Sequence, residues 1–342
     1  MPTPEPVEAD PSADSNADRN GALDPTESES RTTPAPGVGA PDSTGGTAGE
    51  ALQDGTDTPA DPPDSGDAPE AAATAAEPGS DAPSRTDLLP SPLIVLLLGI
   101  TGLAGWLSWT RAELDWGSDG STVYLPFVFV LSGWIVSVAL HEFAHAALAY
   151  RFGDRALRGS GYLRLNPFRF RELFANLVLP VAFPILGAIG LTGPASYLDH
   201  TAVPGRGRRT LVALAGPATS LLLAAILAGV VSTLIEPEAR TNNWALAGLM
   251  YLCYLNLTTA LVSLLPVPGL DGFDAVAPYL PERAVRRGRA VALFGVIAVF
   301  GVLWFPQVNT AFIGLMLHVL ALAGFPQIDV NLGMVVFQFW GL

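Results

Sequence analysis

Of the four histidines in the chain, two fall in the pattern His141-Glu142-Phe143-Ala144-His145, inside a long apolar run. Positions i and i+4 share one face of a helix, so both imidazoles can reach one metal ion while Glu142 stands beside it, placed to act on a metal-bound water. Three ionisable groups in an apolar helix are costly unless they are paired or metal-bound. Two histidines and a solvent molecule leave a tetrahedral zinc one ligand short. The missing ligand should be an Asp, Glu or His at membrane depth on the same side as His145. Asp271 follows the turn-rich Leu264-Leu265-Pro266-Val267-Pro268-Gly269-Leu270 and precedes Gly272, an ending that would fold back toward the membrane surface. His318 sits mid-run, where a histidine is more often part of the core, and His200 lies in a polar loop.

The elements that must position these groups follow from composition. The 342 residues are 49% hydrophobic yet carry a net charge of −14, and the mean hydropathy is +0.37. Residues 1–90 hold 19 of the 32 acidic and 3 of the 18 basic residues, a net of −16, which leaves a net of +2 for 91–342. The first part is Pro, Ala, Gly, Ser, Thr, Asp and Glu with no aromatic residue. Such a segment cannot bury enough apolar area to offset the entropy of ordering it, so a disordered acidic tail is expected over 1–90. Glu5, Glu8 and Asp10 stand where a secretion signal would be positive, so it does not read as a signal peptide. No stretch has the basic excess of a nucleic-acid footprint. The single Cys253, in an apolar run, excludes an intrachain disulfide and a cysteine zinc cluster.

From Pro90 onward, apolar runs long enough to cross a bilayer, which takes roughly 20 helical residues, cover 91–108, 123–150, 174–193, 210–235, 243–266, 288–305 and 308–325. The stretch from Pro326 is apolar but interrupted and is expected at the interface. Trp106, Trp109, Trp116, Trp244 and Trp304 fall near run ends, where amphipathic rings prefer to sit. The run 174–193 holds Pro180, Pro184, Gly187, Gly190 and Gly193, which suits backbone that turns inside protein or lines a cavity. If it enters and leaves on one side, loops 151–173, 194–209 and 267–287 with Arg289 share a face and hold 13 arginines, against Arg111 and Arg240 on the other. Cytoplasmic loops carry the positive excess. The expected fold is therefore an all-α polytopic membrane protein with about six transmembrane helices plus a re-entrant Pro/Gly-rich segment, preceded by the acidic tail. The tail and the active-site side would be cytoplasmic. The same topology lets His145 and Asp271 meet, because it makes runs 123–150 and 243–266 point the same way.

These residues resemble the site-2 proteases, intramembrane zinc metalloproteases, from about Val138 to Phe273. His141-Glu142-Phe143-Ala144-His145-Ala146 is similar to the family's metal motif, and Leu270-Asp271-Gly272 to its second motif, which implies Asp271 as third zinc ligand. Ala215-Gly216-Pro217 resembles the family's small-residue helix packed on the catalytic one. Phe152-Gly153-Asp154 and Leu165-Asn166-Pro167 resemble a short branch that lacks a PDZ domain. The chain departs from the pattern at Thr219 and Ser263, where the family has Asn, and at Phe170 and Glu172, where the branch has His and Asp. Asn256 matches the family, and either hydrogen-bonds substrate backbone or joins two helices.

The expectation is a transmembrane metalloprotease domain over 91–342, its metal-site core at about 123–273. It would bind one zinc ion through His141, His145 and Asp271, use Glu142 as the base, and cleave transmembrane protein substrates within the lipid bilayer of the cell membrane. The alternative is a metal-binding membrane protein of the same fold with a regulatory or binding role and no proteolysis. A metal transporter would need a polar path across the whole bilayer, and the ionisable residues gather toward one side.

Overall fold

The computed structural model describes residues 89–112, 124–236 and 239–339. The chain divides into two units, Met1–Ala75 and Ala76–Leu342, and every described residue belongs to the second. The disorder expected of 1–90 falls, but for its last two positions, outside the described residues.

All regular structure among the described residues is helical. In chain order the helices are α1 (Pro92–Leu107), α2 (Leu125–Phe152), α3 (Leu179–Gly187), α4 (Arg206–Leu234), α5 (Trp244–Ser263), α6 (Asp271–Val276), α7 (Glu282–Ala290), α8 (Ala292–Trp304), α9 (Pro306–Leu322) and α10 (Gln327–Phe337). Four are long and apolar enough to cross a membrane: α1 with the π-turn after it, α2, α4 and α5. The α7–α8 pair makes a fifth when its 66° bend is counted within one span. About six crossings were expected, and the difference lies at the C-terminal end. Pro306 opens α9 and Gly324, at φ +86°, closes it. The helix is left with 17 residues, or about 26 Å at 1.5 Å per residue. The stretch from Pro326, expected at the interface, is helical. It forms α10, whose Gly333 packs on the backbone of Ala247 in α5 and whose Phe337 ring stacks 5.3 Å from Phe127.

Helix α5 is the axis of the bundle. Its apolar window is 89% buried, against 22% for α1, which faces outward. Three contacts place it beside α2 in parallel: Gly248 against Phe129, Leu252 against Gly133, and the Asn256 amide donating to Ser137 Oγ at 3.1 Å. Each step advances four residues on both helices, so the two run in the same direction.

That parallel pair requires the segment between α2 and α4 not to cross, and its local structure shows why it does not. A π-turn, Phe174–Val178, leads into α3, and the chain leaves the helix through Ala188 at φ +53°. Gly193 then lies against the Ala175 carbonyl, so close that a Cβ would overlap it. Ser196 Oγ donates to Glu172 Oε2, closing the two ends of the segment on each other. It is a re-entrant hairpin.

Its broken backbone is repaired by side chains. Pro184 has no N–H for the carbonyl of Pro180, and the Trp134 indole Nε1–H donates to that oxygen at 2.7 Å. Gln338 Nε2 donates to the carbonyls of Pro184 at 3.1 Å and Ile185 at 3.2 Å, and Asn309 Nδ2 to that of Gly187 at 3.4 Å. The last turn of α3 is thereby capped inside the protein. Trp134→Phe is expected to lower stability by about 1–3 kcal/mol, the cost of a buried carbonyl left unpaired. Thermal unfolding in detergent measures it, with Gly99→Ala, where a Cβ meets open space, as the neutral comparison.

Candidate metal centre

Late in α2, residues 141 and 145 stand one above the other on the face turned toward α4. The two Nε2 atoms lie 3.2 Å apart. Asp271, the first residue of α6, places Oδ2 3.2 Å from His141 Nε2 and Oδ1 3.2 Å from His145 Nε2. A tetrahedral ion at about 2.0–2.1 Å from each ligand holds its ligand atoms about 3.3 Å apart. All three side chains are buried, with His145 at 0% exposure and Asp271 at 4%. This is the one group of three among the described residues that could hold a metal ion. His200 and His318, the other histidines, are not part of it.

The free ring nitrogens decide which atoms face the ion. His145 Nδ1 donates to the Val212 carbonyl at 2.7 Å, and His141 Nδ1 lies 2.9 Å from Ser220 Oγ. With Nδ1 engaged on α4, each ring presents the Nε2 lone pair inward, the arrangement that orients metal-ligating histidines. Helix α4 also supplies the space. A Cβ on Gly216 would fall on both Nε2 atoms, so the glycine leaves open the volume that a metal would fill. Pro217 removes the amide that the Ala213 carbonyl would receive, in the turn next to Val212. The residues fit a zinc ion.

The turn into Asp271 is fixed by contacts at Gly272 and Gly269. A Cβ on Gly272 would overlap the carbonyl of Leu264, and Gly269 holds φ +95° against the backbone of Ala292. Thr210 Oγ1 donates to the Ala275 carbonyl at 2.9 Å and ties α6 to α4. Glu142 is 1% exposed, and neither of its carboxylate oxygens has a hydrogen-bond partner among the described residues. Tyr197, on the returning arm of the hairpin, donates to the Glu142 carbonyl at 3.1 Å, and Thr192 Oγ1 lies 3.4 Å from His141 Nε2.

Sequence comparison agrees with this geometry. The chain is 37% identical over 263 residues to "Putative zinc metalloprotease Rip2" of Mycobacterium tuberculosis, covering 77% of this chain and 99% of that protein. It is 34% identical over 258 residues to the protein of the same name from Mycolicibacterium smegmatis, covering 75% and 97%. "Putative zinc metalloprotease YwhC" of Bacillus subtilis matches at 32% over 151 residues, 43% of this chain and 67% of that one. The chain belongs to the site-2 protease family. No family model and no solved structure matches it.

Within that family the departures from pattern have local explanations here. Thr219 Oγ1 bonds back to the Ala215 carbonyl at 2.9 Å, while its neighbour Ser220 reaches His141. Ser220 was not singled out in the sequence, although it lies one helical turn past Gly216 on the same face. Ser263 bonds within its own helix, to the Ala260 carbonyl at 3.5 Å. Phe170 stacks on Tyr162 at 4.5 Å, Tyr162 on Tyr197 at 3.6 Å, and Glu172 closes the hairpin. Asn256 is fully buried and gives its amide to Ser137 and to the Leu252 carbonyl, which is the helix-joining arrangement; its Oδ1 has no partner among the described residues.

Gly216→Ala is expected to reduce bound zinc from one ion per chain to near none while the protein still folds. Gly229→Ala on the same helix, where a Cβ meets nothing, should bind normally. Ser220→Ala should weaken zinc affinity by about 10–100-fold, as loss of such a supporting hydrogen bond does. Metal analysis and chelator competition on detergent-purified protein read both.

Proposed function

We propose that the protein is an intramembrane zinc endopeptidase that hydrolyses peptide bonds of transmembrane substrate proteins. His141, His145 and Asp271 would hold the ion and Glu142 would carry the proton. The observation that carries this reading is the buried Glu142 carboxylate, without a protein partner and next in sequence to a ligand histidine. Zinc held there supplies a Lewis acid for the scissile carbonyl and brings the pKa of a water from about 15.7 toward about 7. Glu142 takes a proton from the attacking water at a carboxylate oxygen and delivers it to the leaving amine, so one carboxylate serves both half-steps. Tyr197 fixes the backbone at Glu142, and the buried surroundings keep bulk solvent out. Water and substrate would approach by the cavity of about 260 Å³ bounded by Pro194–Leu198 of the hairpin and by Gly269 and Phe273 on either side of Asp271. A substrate helix must unwind locally there, because its own hydrogen bonds hide the carbonyl, and this favours substrates with helix-breaking residues near the cleavage point.

The same reading places the enzyme in the cell membrane, with the 13-arginine face, the metal centre and the tail 1–90 in the cytoplasm. A reporter fused within 151–173 is expected to be cytoplasmic and one at Arg240 to lie outside; the reverse result overturns the orientation.

Glu142→Gln is expected to keep one zinc per chain and to lower cleavage of single-span substrates by about 10²–10⁴-fold. A variant that cleaves at the wild-type rate removes Glu142 as base. A wild type that holds zinc and cleaves none of a broad substrate panel points instead to the metal-binding, non-proteolytic role.

A further inference from the structure

Beside the cavity that flanks the turn at Asp271 lies a second one of about 520 Å³. Arg206, Arg209, Arg286 and Arg289 line it together with His200, Asp274 and Glu282. The two cavities share His200, Asp274 and Arg289, so they are neighbours divided by that small cluster. Arg289 pairs with Asp274 at 3.4 Å, and His200 Nε2 lies 3.9 Å from the same carboxylate. Arg209 Nε donates to the Val203 carbonyl. Arg206 and Arg286 form no ion pair among the described residues. Four guanidinium groups thus face two carboxylates, and the balance is positive.

Two further observations mark this positive field as more than an orientation signal. Arg206, Arg208 and Arg209 open α4, and the N-terminal end of a helix dipole disfavours cations. Helix stability alone would not place them there. Burial, Arg289 and Arg209 together lower the pKa of His200 to about 4, so the imidazole is neutral at physiological pH and does not answer the arginines. The arginines of the loop 151–173 serve orientation equally well without lining the cavity.

We propose that this cavity receives an acidic flank of the substrate, a short stretch of Asp and Glu residues just outside its membrane-spanning helix on the active-site side. The proposal rests on the proteolytic reading above. It takes the substrate in preference to an anionic lipid because the cavity adjoins the one beside Asp271. Docked there, the flank would set which end of a transmembrane helix enters the metal centre.

The test uses the full zinc-loaded chain in proteoliposomes of a zwitterionic phospholipid. Two single-span substrates differ only in four flanking acidic residues, replaced by Ser and Asn in the second. The acidic substrate is expected to show about tenfold higher kcat/KM, carried by KM, and the ratio should shrink in high salt, as screened charge contacts do. In the double variant Arg206→Glu, Arg286→Glu that ratio should fall to about one and a basic flank should become preferred. Equal cleavage of both substrates by the wild type overturns the proposal, as does a double variant that keeps the ratio. A dependence that follows added anionic lipid rather than the flank also overturns it, in favour of a headgroup site. Binding of both substrates to Glu142→Gln protein separates the two readings: about tenfold tighter binding of the acidic one with no cleavage by the wild type would sink proteolysis and keep the pocket, and equal binding would sink the pocket.

Discussion

Two imidazole nitrogens and a carboxylate point into one small volume inside an apolar bundle, and their lone pairs repel unless a cation lies between them. The two nitrogens stand 3.2 Å apart and each lies 3.2 Å from one oxygen of the Asp271 carboxylate, and all three side chains are buried. The rest of the bundle can be read as the apparatus that holds this unfavourable convergence. Helix α4 engages both Nδ1 atoms, so the rings cannot turn their lone pairs elsewhere. Gly216 keeps the volume open, Gly272 lets the start of α6 lie on the backbone of 264–265, and Gly269 lets the turn before it lie on that of Ala292. Binding of a divalent ion at this centre would therefore be coupled to folding of the bundle.

A second problem comes from the medium. A hairpin that enters hydrocarbon and turns back leaves carbonyls without amide partners, and no water is at hand to donate to them. The protein uses three side chains from distant parts of the sequence, Trp134, Asn309 and Gln338, to donate to those carbonyls. The C-terminal helices α9 and α10 therefore have a structural task in addition to any crossing they make. They reach into the bundle and finish a helix that Pro184 and Ala188 break. Substitutions at these three positions should act through the hairpin, and so on access to the metal centre, without touching a ligand.

Much of the site was legible because its signals are local or countable. The i, i+4 spacing of His141 and His145 needs only a helix. The placement of Asp271 followed from counting arginines, since a topology that sorts 13 of them to one face also makes α2 and α5 parallel. What was not legible depends on packing between distant segments. Ser220 and the Val212 carbonyl matter only because α4 lies against the histidines, and nothing in their own neighbourhood announces it. Trp134 reads as an ordinary apolar position until Pro180 is placed beside it. The C-terminal runs are less legible for a different reason: hydropathy does not see that α9 stops at 17 residues before Gly324, or that α7 and α8 meet at 66°.

The ligands are also far apart along the chain. Both histidines lie on α2, whereas Asp271 comes only after the hairpin, α4 and α5. During synthesis the histidines enter the bilayer well before the third ligand has been translated, and α5, the buried axis of the bundle, arrives just ahead of it. The incomplete pair cannot hold the ion in its final geometry. A cell making this protein therefore inserts the two histidines on an inert membrane helix first, and the centre can be completed only after the hairpin, α4 and α5 have followed.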